Sequence, residues 1–467
     1  MMNISNFLKS PFVYFFFYTM KTRITFACIS CLLVLCTVHS YTVLAQAPAP
    51  KPSSPTAAPA KAAETIKIGM SIVTNDPTGN TQLQGARMAI EEINAAGGVL
   101  GKKMELVPVY NETRNYPKAQ AFINSLISDG AKYIITSGGS GMTMKAAEIT
   151  IPNNVLLITG SSSSPKISDL ADNDLVWRTV PSDAFQGRIA AVYMDSLKVR
   201  TAGLIYLDNP YGNELSKTFR EVFEKRRGKI LASVKIPDMT NYENFDFKPI
   251  ADQVFSQKPQ LVYLVSYGEE GAKIINAAKP YFTGTYKPQL LGCDANYNND
   301  FLYGAEQSLI EGMLGFVYIH PQNYPNYEKF NTAFEAYQSK ASNDATEMSA
   351  NSLASLLGAV STNSYGATVY DAIYTLAYAM LKAKSIAPAD VAKTMRLVAN
   401  DNDGATLINV GEFAKATAIL AKGGNINYDG ASGSLDFNDT GDVISGTYII
   451  WKVKDGKFIE ASTISFP

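Results

Sequence analysis

From Glu64 onward the chain alternates short apolar runs with amphipathic segments of helical period, and that alternation leaves few architectures open. Ile66 to Val73 reads as a buried strand. Leu83, Ala86, Ile90 and Ile93 follow at helical spacing, and Gly97-Gly98 ends that helix. Met104 to Tyr110 is the next strand. Pro117 suits a first helical turn, with Phe122, Ile123, Leu126 and Ile127 as its apolar face. Tyr133 to Thr136 and Val155 to Thr159 are strands three and four. A second run follows: strands at Ala202 to Leu207, Ile230 to Ile236, Leu261 to Val265 and Gln289 to Gly292. Between them lie helices at Asn213 to Arg226, Phe245 to Phe255 and Gly271 to Ala278. Strands alternating with helices predict parallel sheets covered on both faces. Two such runs predict an α/β protein of two doubly wound, Rossmann-like lobes. After Met313 the pattern loosens, with helices expected at Tyr327 to Gln338, Val369 to Ala383 and Pro388 to Val398. Residues 341–363, rich in Ser, Asn and Ala, read as an insertion. The tail, Gly433 to Phe458, reads as strands with turns at Asp439 to Asp442 and near Asp455-Gly456.

The N-terminus reads as an export signal. Lys21 and Arg23 precede the apolar run Phe26 to Cys36, and Val43-Leu44-Ala45 makes a small-residue exit. That run falls short of the roughly 20 apolar residues that span a bilayer. We expect residues 1–45 to be a signal peptide, with Met20 able to open it alone, and a periplasmic destination. Residues 46–63 hold five prolines and seven alanines and predict an extended linker. Cleavage removes Cys28, Cys31 and Cys36, so Cys293 alone remains and no internal disulfide is expected. It also removes three bases and no acid, which leaves about four more acids than bases. The near balance of 41 Lys plus Arg against 42 Asp plus Glu carries no nucleic-acid signature. Only His39 and His320 are histidines, which removes multi-histidine metal sites and leaves Cys293 without a partner for nucleophilic catalysis.

In doubly wound sheets, ligands sit beyond the carboxyl ends of strands where strand order switches. Ser137-Gly138-Gly139-Ser140-Gly141 follows the third strand, with a helix expected from about Thr143. Thr159-Gly160-Ser161-Ser162-Ser163-Ser164 follows the fourth. Each loop alone is more simply a solvated turn. Together they offer hydroxyl and backbone donors at one sheet edge, suited to a carboxylate or amide. The second run supplies Asp208-Asn209-Pro210-Tyr211, Ser266-Tyr267 and Cys293-Asp294 at its strand ends. Two tyrosines and a carboxylate suit an ammonium, although each tyrosine is one of 26 and Asp294 equally suits a helix cap. No GxSxG, HExxH or Cys-His motif is present, and no cofactor is expected.

At these residues the chain resembles the leucine/isoleucine/valine-type solute-binding proteins of ABC importers, which have the type I periplasmic binding fold. The marks are Ile66-Lys67-Ile68-Gly69, Gly85 to Val99, Arg178-Thr179, Gln186-Gly187, Tyr211-Gly212 and Glu311-Gly312-Met313. The resemblance implies two lobes joined by a three-stranded hinge. Lobe one would be 64–182 plus 313–432, and lobe two 183–312 plus 433–467. It implies a cleft in which Ser140 and Ser161, Ser162 and Ser163 hold an α-carboxylate, while Asp294, Tyr211 and Tyr267 meet the α-ammonium. Thr78 stands where relatives often place an aromatic residue over the ligand, and Asp294 where a longer Glu is common. An amino acid is the expected cargo, with a short amide, urea or an aromatic acid as alternatives. The implied partners are permease and ATPase subunits of an importer, the protein acting as a monomer. Alternatives are a sensory binding protein on the same fold and a secreted amide hydrolase.

Overall fold

The computed structural model describes residues 64–73, 77–111, 114–320, 323–344 and 363–466. The expected signal peptide, the linker and residues 345–362 of the expected insertion lie outside them.

The first sheet holds β1 (Ile66–Val73), β2 (Met104–Asn111), β3 (Tyr133–Thr136), β4 (Leu156–Thr159) and β5 (Val176–Arg178), all parallel, in the order β2-β1-β3-β4-β5. Helices α1 (Pro77–Ala95), α2 (Tyr116–Ser128) and α3 (Ser140–Thr150) connect its first four strands. The chain then forms α4 (Asp183–Ser196), β6 (Thr201–Leu207), α5 (Pro210–Lys225), β7 (Lys229–Ile236), α6 (Lys248–Phe255), β8 (Leu261–Val265), α7 (Gly268–Ala277) and β9 (Gln289–Gly292). Short helices α8 (Asn299–Gly304) and α9 (Gln307–Ile310) lead to β10 (Leu314–Ile319). Next come α10 (Pro325–Asp344), α11 (Asn363–Ala383), α12 (Pro388–Ala399), β11 (Thr406–Ile408), α13 (Phe413–Ala421) and β12 (Ile426–Tyr428). The hairpin β13 (Gly446–Lys454) and β14 (Lys457–Phe466) ends the described chain.

The second sheet has the order β14-β13-β10-β9-β8-β6-β7, parallel from β10 to β7, with β13 antiparallel to both neighbours. One apolar core lies between the first sheet and α1, α11, α12 and α13; a smaller one lies on its other face, under α2 and α3. A third surrounds the second sheet. Helix α1 packs closely along α11 because Gly85 has no side chain: a Cβ there would meet the Gly366 carbonyl oxygen at 2.3 Å.

Two expected boundaries move. The return to the first lobe was expected at 313, yet β10 is hydrogen-bonded into the second sheet, so the return follows Ile319. Residues from 433 were expected with the second lobe, yet Leu435, Phe437 and Val443 are buried in the first sheet's core. The chain joins the second sheet only at Gly446. In each parallel sheet the order switches once near its start, between β1 and β3 and between β6 and β8. Those are the edges at which a ligand is expected.

Candidate functional site

On the first sheet, the turn after β3 is left-handed at both Gly138 (φ +95°) and Gly139 (φ +83°), a conformation that glycine adopts without strain. Helix α3 therefore starts at Ser140, three residues earlier than expected. A Cβ at Gly139 would lie 2.6 Å from the Tyr267 hydroxyl, so a tyrosine of the second sheet rests over this turn. The Ser140 hydroxyl accepts from the Ser164 N–H at 3.1 Å and ties the two loops together. The amides of Ser161 and Ser162 point back to Thr159 Oγ1, at 3.4 and 3.2 Å.

The four site serines have different employment. Ser162 Oγ lies 2.8 Å from Thr143 Oγ1, itself 2.7 Å from Thr136 Oγ1, a buried hydroxyl chain inside the first lobe. Ser163 Oγ donates to Asp183 Oδ2 at 2.7 Å, and the Asp183 N–H returns a bond to the Ser163 carbonyl at 2.7 Å. Ser161 Oγ is buried and has no hydrogen-bond partner among the described residues.

The second sheet brings its groups to the same place. Tyr211 and Tyr267 lie nearly parallel, with centroids 5.8 Å apart. Tyr211 donates its hydroxyl proton to Asp294 Oδ1 at 2.6 Å. Gln186 Nε2 donates to Asp294 Oδ1 and to Asp183 Oδ1, both at 2.9 Å, and Gln186 Oε1 accepts from the Asp294 N–H at 3.0 Å. One chain of contacts thus runs Ser163–Asp183–Gln186–Asp294–Tyr211, from the serine loop of one sheet to the tyrosine of the other. Thr78 is the second residue of α1, just past β1, and is half-buried.

Two carboxylates here share one amide donor. Burial pushes the Asp183 carboxyl well above the usual range, and the charge of Asp294 adds to it. Burial also raises Asp294, against the hydrogen bonds from Tyr211 and Gln186. Such a pair gains most from a cation placed between or beside it. Burial raises the Cys293 thiol too, which suits a packed residue and not a nucleophile.

A second contact joins the sheets at the rim. Arg114, in the loop after β2, makes ion pairs with Asp238 Oδ1 at 2.8 Å and with Glu270, and donates to the Met239 carbonyl at 2.7 Å. Its guanidinium lies 4.8 Å from the Tyr267 ring centre and 5.2 Å from that of Tyr242. Tyr116 donates to Asp238 Oδ2 at 2.5 Å, and Ser164 Oγ to the Pro210 carbonyl at 2.8 Å. Asp183 and Arg114 escaped the sequence reading. A signal existed for Asp183: Ser182-Asp183 precedes Gln186-Gly187 as a helix-start pattern, and Ser182 does cap α4.

Residues 81–456 match the family model described as "Receptor family ligand binding region". The chain belongs to this family. Among curated relatives, the leucine-, isoleucine-, valine-, threonine- and alanine-binding protein of Pseudomonas aeruginosa is 30% identical over 222 residues. That match takes in 47% of this chain and 58% of the relative, less than two thirds of its length. Among solved structures, the leucine-binding protein of Thermotoga maritima superposes with a TM-score of 0.65 at 20% identity, covering 86% of this chain and 99% of that one. A branched-chain amino acid transporter substrate-binding protein from Streptococcus pneumoniae, solved with isoleucine, gives 0.64 at 19% identity, covering 86% and 100%. The α/β fold of this family member is thus that of the type I periplasmic binding proteins.

Proposed function

We propose that this family member is an exported, periplasmic receptor that captures a small amino acid, or a related amide, between its two sheets and passes it to an ABC importer. The observation that carries the reading is the meeting of Asp294, held by Tyr211 and Gln186, with the serine turns of the opposite sheet. In this reading the cargo ammonium pairs with Asp294 and stacks beside Tyr211 and Tyr267. The carboxylate takes the hydroxyls of Ser161 and Ser140 and the backbone donors of the two turns that Thr159 does not hold, the Ser163 hydroxyl being given to Asp183, and Thr78 forms part of the wall. The Ser162 hydroxyl fastens its turn to α3 and contributes no direct contact. The partners are permease and ATPase subunits, the protein works as a monomer, and the cargo leaves chemically unchanged. The three relatives described above are amino-acid-binding by name, which supports the cargo class; two further solute-binding proteins of this fold were solved with benzoate and with 3,4-dihydroxybenzoic acid.

Thermal-shift screening of the purified protein against the amino acids and small amides tests this. A true cargo raises the melting temperature progressively as its concentration climbs. Recovery of that cargo intact separates binding from hydrolysis. A melting temperature unmoved by all of them, or a cleaved amide, contradicts the proposal.

A further inference from the structure

Gln82, on α1 one turn after Thr78, is fully buried, and neither Oε1 nor Nε2 of its amide has a hydrogen-bond partner among the described residues. Its amide lies against Gly160, where a Cβ would come within 3.4 Å of Nε2. Gly160 directly precedes Ser161, whose buried Oγ also has no hydrogen-bond partner among the described residues. Unpaired donors and acceptors therefore flank one glycine at the carboxyl end of β4. The nearby Thr368 hydroxyl directs its proton to the carbonyls of Gly160 and Tyr365, at 2.8 and 2.9 Å, so it has none for Gln82 Oε1. A buried amide left unpaired is costly, and native proteins rarely keep one without a use.

Resting on the proposed function, we infer that Gln82 is a specificity-determining residue that selects a cargo carrying a hydroxyl or carboxamide group. The carboxylate and ammonium of an amino acid are served by the serine turns and by Asp294. In that arrangement the ammonium's protons are directed to Asp294 and the tyrosines, and a carboxylate has no donor to give Gln82 Oε1. A branched aliphatic side chain leaves that oxygen unpaired, whereas a hydroxyl or carboxamide both donates and accepts. Sites built around polar groups reject isosteres that lack them far more strongly than apolar pockets reject an extra methylene.

Two near-isosteric pairs read this out by calorimetry on the purified protein: L-threonine against L-valine, and L-asparagine against L-leucine. In the unaltered protein at least one pair favours its polar member by about tenfold or more. Gln82→Met, of similar length and without the amide, brings that ratio to within about threefold of unity or inverts it. The same substitution raises the melting temperature measured without added amino acid, because it removes buried unpaired atoms. Preference for the apolar member in both pairs overturns the inference and leaves the proposed function standing. So does a Gln82→Met protein that melts lower with both ratios unchanged, the behaviour of an amide that only supports the core. Failure of every amino acid and small amide to bind either protein overturns the proposed function, and the inference falls with it.

Discussion

Asp294 and Ser161 carry opposite ends of the proposed cargo, and they differ in what their loss leaves behind. Asp294→Ala leaves the ammonium without its counter-charge, at a cost of about 2–3 kcal/mol, or roughly 30- to 150-fold in affinity. Ser161→Ala removes one neutral hydroxyl whose role the Ser140 hydroxyl shares, worth about 1 kcal/mol, or roughly fivefold. Calorimetry on the two variants checks the order, and equal small losses would undo the assignment. The same residues predict a pH dependence. Burial holds the carboxyls of Asp183 and Asp294 above the ordinary range. An ammonium needs Asp294 ionised, so affinity falls as pH is lowered through that raised range, before exposed carboxylates titrate near about 4. Without cargo the sign reverses: a raised folded-state pKa contributes stability at low pH that is lost as pH rises through it. Titrations and melting curves from about pH 8 to pH 4 would show affinity and intrinsic stability moving in opposite directions. Affinity flat to below about pH 4 contradicts the assignment. The acid and the two tyrosines could be read from the sequence because they stand at strand ends beside turn residues. Gln82 could not, because a glutamine on an amphipathic helix ordinarily faces solvent and nothing local marks it as buried.

At the scale of elements, strands with continuous apolar runs were legible, and β1 falls on the residues expected for it. Helix α4 was passed over. Its buried face is Gln186, Gly187, Ala190, Ala191 and Met194, small and polar residues that give little apolar period. Gly187 is small because α5 crosses there: a Cβ would lie 2.9 Å from the Thr218 side chain. Strand β10 is disguised in the same way by Gly315, which makes room for the Trp451 ring. The Arg114 loop was also illegible, since its partners lie more than a hundred residues away in the chain. That loop latches the two sheets together. Arg114→Ala leaves the buried Glu270 and the half-buried Asp238 without their cation, so it should lower cargo affinity by about tenfold or more although Arg114 is assigned no contact with cargo. Adding Glu270→Gln to Arg114→Ala should recover part of the loss, because the stranded charge is gone. Unchanged affinity in the single variant would show that the rim contacts do not hold the lobes together.

For the whole molecule, the chain passes from one sheet to the other after Arg178, after Ile319 and ahead of Gly446, and the proposed function uses these passages as a hinged waist. The waist is stiffened by the buried Arg178, paired with Asp442 at 2.6 Å and donating to the Ser164 carbonyl at 2.9 Å and to Ser168 Oγ at 2.7 Å. It therefore couples the hinge directly to the serine loop. In the proposed function, closure brings the carboxylates of one half against the serine turns of the other, an arrangement that selects a molecule charged at both ends. The most direct test compares, by calorimetry, the best-bound amino acid with its 2-hydroxy acid analogue, which keeps the carboxylate and side chain and lacks the ammonium. The account predicts one-to-one binding of the amino acid and an affinity for the analogue lower by about 100-fold or more; equal affinities would contradict it.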